Sequence, residues 1–165
     1  VGRLEKQKNI SSLIKSIQGS EIEIDIIGDG SEKESLVQLS EMLNVKVNFL
    51  GKLNFKELNN IYKNYRIFIL PSLFEGNPKA LLESMSNGCL VIAAYNKNVE
   101  EIITNNKNGI LYNPEDDLIK MVKYYLRDKE VSEKIIRNGY QTIEQHNQIE
   151  NIMESEIFNY KNLVK

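Results

Sequence analysis

The stretch Leu70–Ala93, LPSLFEGNPKALLESMSNGCLVIA, limits what this chain can fold into more than any other. The apolar run Ile67–Leu70 that leads into it reads as a buried strand, which Pro71 and Ser72 end. Phe74–Asn77 then form a short loop. Asn77 is a favoured N-cap and Pro78 a favoured first helical residue, because proline fixes φ and lacks only an N–H that would be orphaned anyway. Gly88 stops the helix, and Cys89–Ala94 reads as the next buried strand. The unit is strand, tight loop, helix, strand. In a parallel sheet it aims the helix N-terminus at the carboxyl edge of the strands, where ligands sit in such folds.

Two carboxylates frame that terminus with seven residues between them, Glu75 in the loop and Glu83 inside the helix. Gly76 beside Glu75 suggests backbone that approaches something closely. Free N–H groups near Pro78, Lys79 and Ala80 can accept an anion, and phosphate is the usual one. A carboxylate beside a phosphate cradle is costly unless it faces hydroxyls, which sugars supply. The residues alone also fit a plainer reading, an acidic group near a helix start and a solvated helical glutamate.

The run Phe74-Glu75-Gly76-Asn77-Pro78-Lys79-Ala80-Leu81-Leu82-Glu83-Ser84-Met85-Ser86-Asn87-Gly88 resembles the signature of family 4 retaining glycosyltransferases, which are built from two Rossmann-like domains. The resemblance extends along nearly the whole chain and corresponds to the C-terminal, donor-binding domain. It implies that Glu75 reaches the hydroxyls of the transferred sugar and Glu83 the ribose of a nucleotide diphospho-sugar, with Gly76, Asn77, Pro78 and Lys79 cradling the donor between them. It also implies that Arg3 and Lys8 meet the donor diphosphate, one with a planar fork of donors and the other with a movable point charge. Taken alone, these two are charged loop residues for which solvation is the ordinary state.

Gly28-Asp29-Gly30 resembles the family's turn close to the nucleotide, although tight-turn chemistry by itself accounts for a lone Gly-X-Gly. The loop matching Lys52-Leu53 is implied to offer backbone groups to the base edge, so Leu53 is a candidate contact that leaves the base unnamed. The chain departs from the family pattern at Lys97-Asn98, where a Gly-Gly pair is frequent, and at Leu90 and Glu100, where a Pro is frequent. That loop is therefore not assigned to the site.

The remaining elements alternate. Ile10–Gln18 reads as a helix, and Glu21–Ile27 as a strand with Ile22, Ile24 and Ile26 on one side. Ser31 and Glu34 form a candidate capping box for a helix to about Asn44. Val45–Leu50 reads as a strand, and Asn54 with Glu57 opens a helix to about Asn64 whose apolar face carries Leu58, Ile61 and Tyr62. Asn108–Tyr112 is a short last strand, and Glu115, Asp116 and Asp117 complement the dipole of the helix that follows. From Leu118 the chain is predicted helical, with breaks near Lys129 and around His146-Asn147. Ile149, Ile152, Met153, Ile157, Tyr160 and Val164 form an apolar stripe there, and His146, the only histidine, reads as a surface residue.

Strands alternating with helices imply an α/β fold with a doubly wound, Rossmann-like parallel sheet and C-terminal helices. At 165 residues one domain is the natural count. The resemblance places Val1–Leu4 directly after the family's first strand. Most of that strand and the N-terminal, acceptor-binding domain are thus expected to lie outside this chain, leaving a gap between the neighbours of a central strand.

Lys+Arg 21 against Asp+Glu 23 gives a formal net charge of −2, so no global field draws the chain to nucleic acid. The single cysteine, Cys89, excludes an intramolecular disulfide and reads as a small buried hydrophobe. No apolar run approaches the roughly 18 residues of a bilayer span, and no leader pattern appears. A cytoplasmic setting is expected, with the longer protein peripheral to the inner face of the membrane where its acceptor is lipid-linked.

The expected function is transfer of a sugar from a nucleotide diphospho-sugar to an acceptor hydroxyl with retention, this chain supplying the donor site. The acceptor, a glycan or lipid-linked sugar, would come through the other domain, so the chain alone is expected to bind and not turn over. No Asp-X-Asp metal motif or cofactor motif is assigned; Arg3, Lys8 and the helix start supply the charge a departing diphosphate needs. A nucleotide-sugar epimerase of the same architecture, or a non-catalytic nucleotide-sugar-binding domain, is the alternative.

Overall fold

The computed structural model describes residues 1–145. His146 and the apolar stripe from Ile149 to Val164 lie outside the described residues. The strands are β1 (Ile24–Ile27), β2 (Val47–Gly51), β3 (Ile67–Leu70), β4 (Leu90–Ala94) and β5 (Ile110–Tyr112). The helices are α1 (Ile10–Ser16), α2 (Lys33–Met42), α3 (Phe55–Tyr62), α4 (Lys79–Ser86), α5 (Lys97–Glu100) and α6 (Leu118–Arg127). A further helix, α7, occupies 129–145, and a single 3-10 turn, Lys6–Lys8, precedes α1. The short helix α5 stands where the sequence suggests only a loop.

Every strand pair is parallel, as strand–helix alternation requires. The strands form two ladders, β1–β2 and β3–β4–β5. Between β1 and β3 runs a slot of about 120 Å³ whose walls include Ile24, Ile26, Ile67 and Ile69. At its upper end the Gly2 and Leu4 amides donate to the carbonyls of Ile27 (2.9 Å) and Asp29 (3.0 Å), so the chain's first residues lie against the end of β1.

Strand periodicity sorts the core onto two faces. Val91 and Ala93 of β4 pack with Tyr62, Leu81, Met85 and Val99 from α3, α4 and α5. Leu90 and Ile92 pack on the opposite face with Leu13, Val122 and Tyr125 from α1 and α6. A third cluster, Leu4, Ile14, Ile26 and Leu36, closes β1 against α1 and α2. Cys89 is buried, and burial pushes its thiol up to about 11, which suits a packing role.

The caps follow the sequence in part. Asn54 and Glu57 form the expected reciprocal box at α3, with bonds of 3.0 and 2.8 Å. At α6 the expected dipole complement takes a more definite form, because Asp117 accepts from the Lys120 amide at 2.9 Å. The capping box expected at Ser31 and Glu34 is absent. Glu32 occupies the cap position of α2 in helical geometry, and the Ser31 hydroxyl donates instead to Glu5 Oε2 at 2.9 Å.

Candidate functional site

A cleft of about 1010 Å³ opens beyond the carboxyl ends of β1 and β3. One wall is the opening segment Val1–Lys8, and the other is the loop Phe74–Asn77 with the first turns of α4. Arg3, Lys8, Glu75, Gly76, Asn77, Pro78, Lys79 and Glu83, eight of the residues singled out in the sequence, line it together. Gly28 and Leu53 do not. Gly28 backs the cleft from behind: its φ of +140° and a Cβ that would sit 1.8 Å from the Gly2 carbonyl oxygen leave room only for glycine. Leu53 follows β2 and is half-buried.

Glu75 is the most constrained group of the site. Its side chain is 4% exposed and its Oε1 lies 2.7 Å from the Lys8 ammonium, the sole ion pair among the described residues. An isolated carboxylate in such a place would be costly, so the pairing is what lets the loop carry it inward. Arg3 is exposed and makes no ion pair among the described residues. Three cations, Arg3, Lys6 and Lys8, therefore line this cleft from the opening segment, and Lys8 already holds a carboxylate.

The start of α4 differs from the sequence reading. Asn77 does not cap the helix; Pro78 holds the cap position with φ −82° and ψ +59°, and no side chain caps α4. The Lys79 amide donates to the Asn77 carbonyl at 2.9 Å. That is an inverse γ-turn centred on Pro78, a tighter entry than an N-cap makes, and it keeps Asn77 exposed at the lip. The Leu81 and Leu82 amides donate to the Pro78 carbonyl at 2.9 and 3.2 Å, so of the first-turn amides of α4 it is that of Ala80 that is left to serve a ligand.

Glu83 lies half-buried on α4. The Tyr62 hydroxyl shares its one proton between Glu83 Oε2 at 3.4 Å and the Ala80 carbonyl at 3.3 Å. Burial, and then the Glu83 charge, push the Tyr62 phenol well above its ordinary value, so it stays a donor across the neutral range. Tyr62 is legible in the sequence only as part of an apolar face. Gln7 and Asn98 are likewise missed: the Gln7 carbonyl accepts from the Leu73 amide at 3.0 Å and its side chain donates to the Phe74 carbonyl at 2.8 Å. The Asn98 amide donates to the Glu75 carbonyl. Polar loop residues that meet across long separations leave no periodic signal.

Among the described residues no group of three or more His, Cys, Asp or Glu side chains is placed to hold a metal ion, and no helix is long and apolar enough to cross a membrane.

Residues 1–142 match the family described as glycosyl transferases group 1. The chain belongs to this family. It is 31% identical over 165 residues to Protein CapJ of Staphylococcus aureus, covering 95% of this chain and 40% of CapJ. It is 34% identical over 142 residues to the sulfoquinovosyl transferase SQD2 of Arabidopsis thaliana, covering 82% of this chain and 27% of that protein. The chain thus spans less than half the length of these relatives. The catalytic domain of cholesterol-α-glucosyltransferase from Helicobacter pylori superposes with a TM-score of 0.78 at 25% identity, over 88% of this chain and 95% of that one. The doubly wound α/β fold read from the sequence is the fold of this group 1 transferase domain, and the family match supports transferases over epimerases of like build.

Proposed function

We propose that this chain is the donor-binding domain of a retaining glycosyltransferase that uses a nucleotide diphospho-sugar. The observation that carries the reading is the meeting, in one cleft, of Arg3 and Lys8, a helix start with no side-chain cap, and the carboxylates of Glu75 and Glu83 held at different depths. The chemistry asks for that set. A diphosphate leaving an anomeric carbon gains charge, and Arg3, Lys8 and the Ala80 amide at the start of α4 stabilise it by electrostatics already in place. Glu83, steadied by Tyr62, accepts from ribose hydroxyls, while Glu75 accepts from hydroxyls of the transferred sugar. The Gly28 turn, read as close to the nucleotide, and the Leu53 backbone, read as a contact of the base edge, stand outside the lining of this cleft. An acceptor glycan or lipid-linked sugar reaches the sugar from a preceding domain, in the cytoplasm or at the inner face of the membrane, so the chain alone binds the donor without turnover.

Glu75→Gln tests this reading. A panel of nucleoside diphosphates and their sugar derivatives first finds the base. Titration calorimetry of wild type and variant is then run with the diphosphate and with its sugar form. The nucleoside diphosphate should bind unchanged or slightly tighter, because Lys8 is released from its carboxylate. The nucleotide sugar should lose about 0.5–1.5 kcal/mol, or more if the lost bond was to the charged carboxylate. Equal losses with both ligands would assign Glu75 to the nucleotide or to the loop's shape.

Glu83→Gln has the opposite signature. Nucleoside diphosphate and nucleotide sugar should both weaken by about 1–3 kcal/mol, the range for a bond to a charged group. The melting midpoint should hardly move, since the side chain faces the cleft. A folded variant with unchanged nucleotide affinity would refute the ribose contact.

A further inference from the structure

The Lys97-Asn98 pair marks the chain's clearest departure from the family pattern, and the structure gives its second residue a place at the site. Asn98 sits in α5, one residue before Val99, which is fully buried in the core. Asn96 caps the same helix, its Oδ1 accepting from the Val99 amide at 3.2 Å, while its Nδ2 reaches the Ser72 carbonyl at 3.4 Å. The Asn98 Nδ2 donates to the Glu75 carbonyl and lies 3.4 Å from the Gly76 carbonyl. Two carbonyl acceptors fix which end of the amide faces the loop, because only the NH₂ end can donate. From the other side, Gln7 holds the Leu73 amide and the Phe74 carbonyl. Each residue from Ser72 to Gly76 thus has a backbone group fastened to the opening segment or to α5.

We infer that Asn98 is a positioning residue: it fixes the Glu75–Gly76 backbone so that the Glu75 carboxylate stays at the depth where it meets Lys8 and the donor sugar. Side chains that serve ligands hold their aim when a rigid element supports them. Here the support is a short helix anchored by Val99, and the connection is one amide. The sugar-facing role of Glu75 rests on the proposed function; the fastening of the loop does not.

The experiment has one arm for each. In the ligand-free chain, chymotrypsin cleavage after Phe74, which is 56% exposed on the loop, reads how often the loop opens. Asn98→Ala, and Asn98→Asp, which keeps the shape but replaces the donor, should each speed that cut about 3- to 10-fold, with cuts at Tyr124 and Tyr140 as controls. Cleavage of both variants at the wild-type rate would overturn the fastening. If Asn98→Asp alone is cut at the wild-type rate, the side chain acts by bulk and the inference falls equally.

In the second arm, calorimetry compares a nucleoside diphosphate with its sugar derivative, UDP with UDP-glucose and GDP with GDP-mannose as the probes. Asn98→Ala should lower affinity for the sugar form about 3- to 10-fold while the diphosphate alone is held within about twofold. In a Glu75→Gln background that selective loss should vanish, because Asn98 acts through Glu75. A loss that persists there, or one shared by both ligands, would overturn the positioning role, as would faster cleavage with no selective loss. A wild-type chain that binds none of the probes would instead strike the donor-site reading, and the cleavage arm would still decide whether Asn98 fastens the loop.

Discussion

Lys8→Met should lose both stability and ligand. The substitution leaves the Glu75 carboxylate buried without its cation. Breaking a fully buried pair costs about 3–5 kcal/mol. Lys8 is 24% exposed, so water reaches the site and a loss of about 2 kcal/mol is expected. In a domain of this size that is a fall of roughly 4–8 °C in melting midpoint. The double variant Lys8→Met/Glu75→Gln should recover about half of it, because a neutral amide tolerates the site better than an orphaned charge. Affinity for a nucleoside diphosphate should fall about 10- to 100-fold, as one charge-assisted bond to phosphate is lost. Denaturant titrations of the three variants, with calorimetry on each, check both halves. A single variant as stable as wild type would show that the ion pair does not hold Glu75 in place.

Gly28→Ala should have a larger effect still, and a different cause. The new Cβ would stand 1.8 Å from the Gly2 carbonyl oxygen, on backbone with φ +140°. Neither partner is a flexible side-chain end, so the opening segment that carries Arg3 has to move away from β1. A loss above about 3 kcal/mol is expected, with nucleotide affinity falling alongside. Gly76→Ala is the contrast, since its added Cβ meets nothing within 4 Å. There stability should stay within about 1 kcal/mol, and any effect should appear only with ligand present. Thermal melts of both variants separate the cases, and a Gly28→Ala chain as stable as wild type would overturn the close-packed account of this turn.

The central unit was legible because its signals are local. The apolar run Ile67–Leu70 is followed by Pro71, Gly76, Pro78 and Gly88 as punctuation, and strand β3, helix α4 and strand β4 appear where they say. Edges drifted where caps compete: Ser31 found Glu5, and the γ-turn at Pro78 displaced Asn77 from the cap. Tyr62 was visible as a member of an apolar face, but periodicity reports burial and says nothing of where a hydroxyl points. Arg3 and Lys8 came from resemblance alone, since a cation in a loop has no pattern of its own. Gln7 and Asn98 were illegible for a stricter reason: they reach backbone groups 67 and 22–23 residues away, a proximity only the folded chain creates.

A crystal structure of the chain with its nucleotide diphospho-sugar tests the central claim most directly. The diphosphate is expected within hydrogen-bonding distance of Arg3, Lys8 and the Ala80 amide at the start of α4, with Glu83 at the ribose and Glu75 at a hydroxyl of the sugar. A diphosphate bound away from the α4 N-terminus, or a sugar ring turned from Glu75, would contradict it.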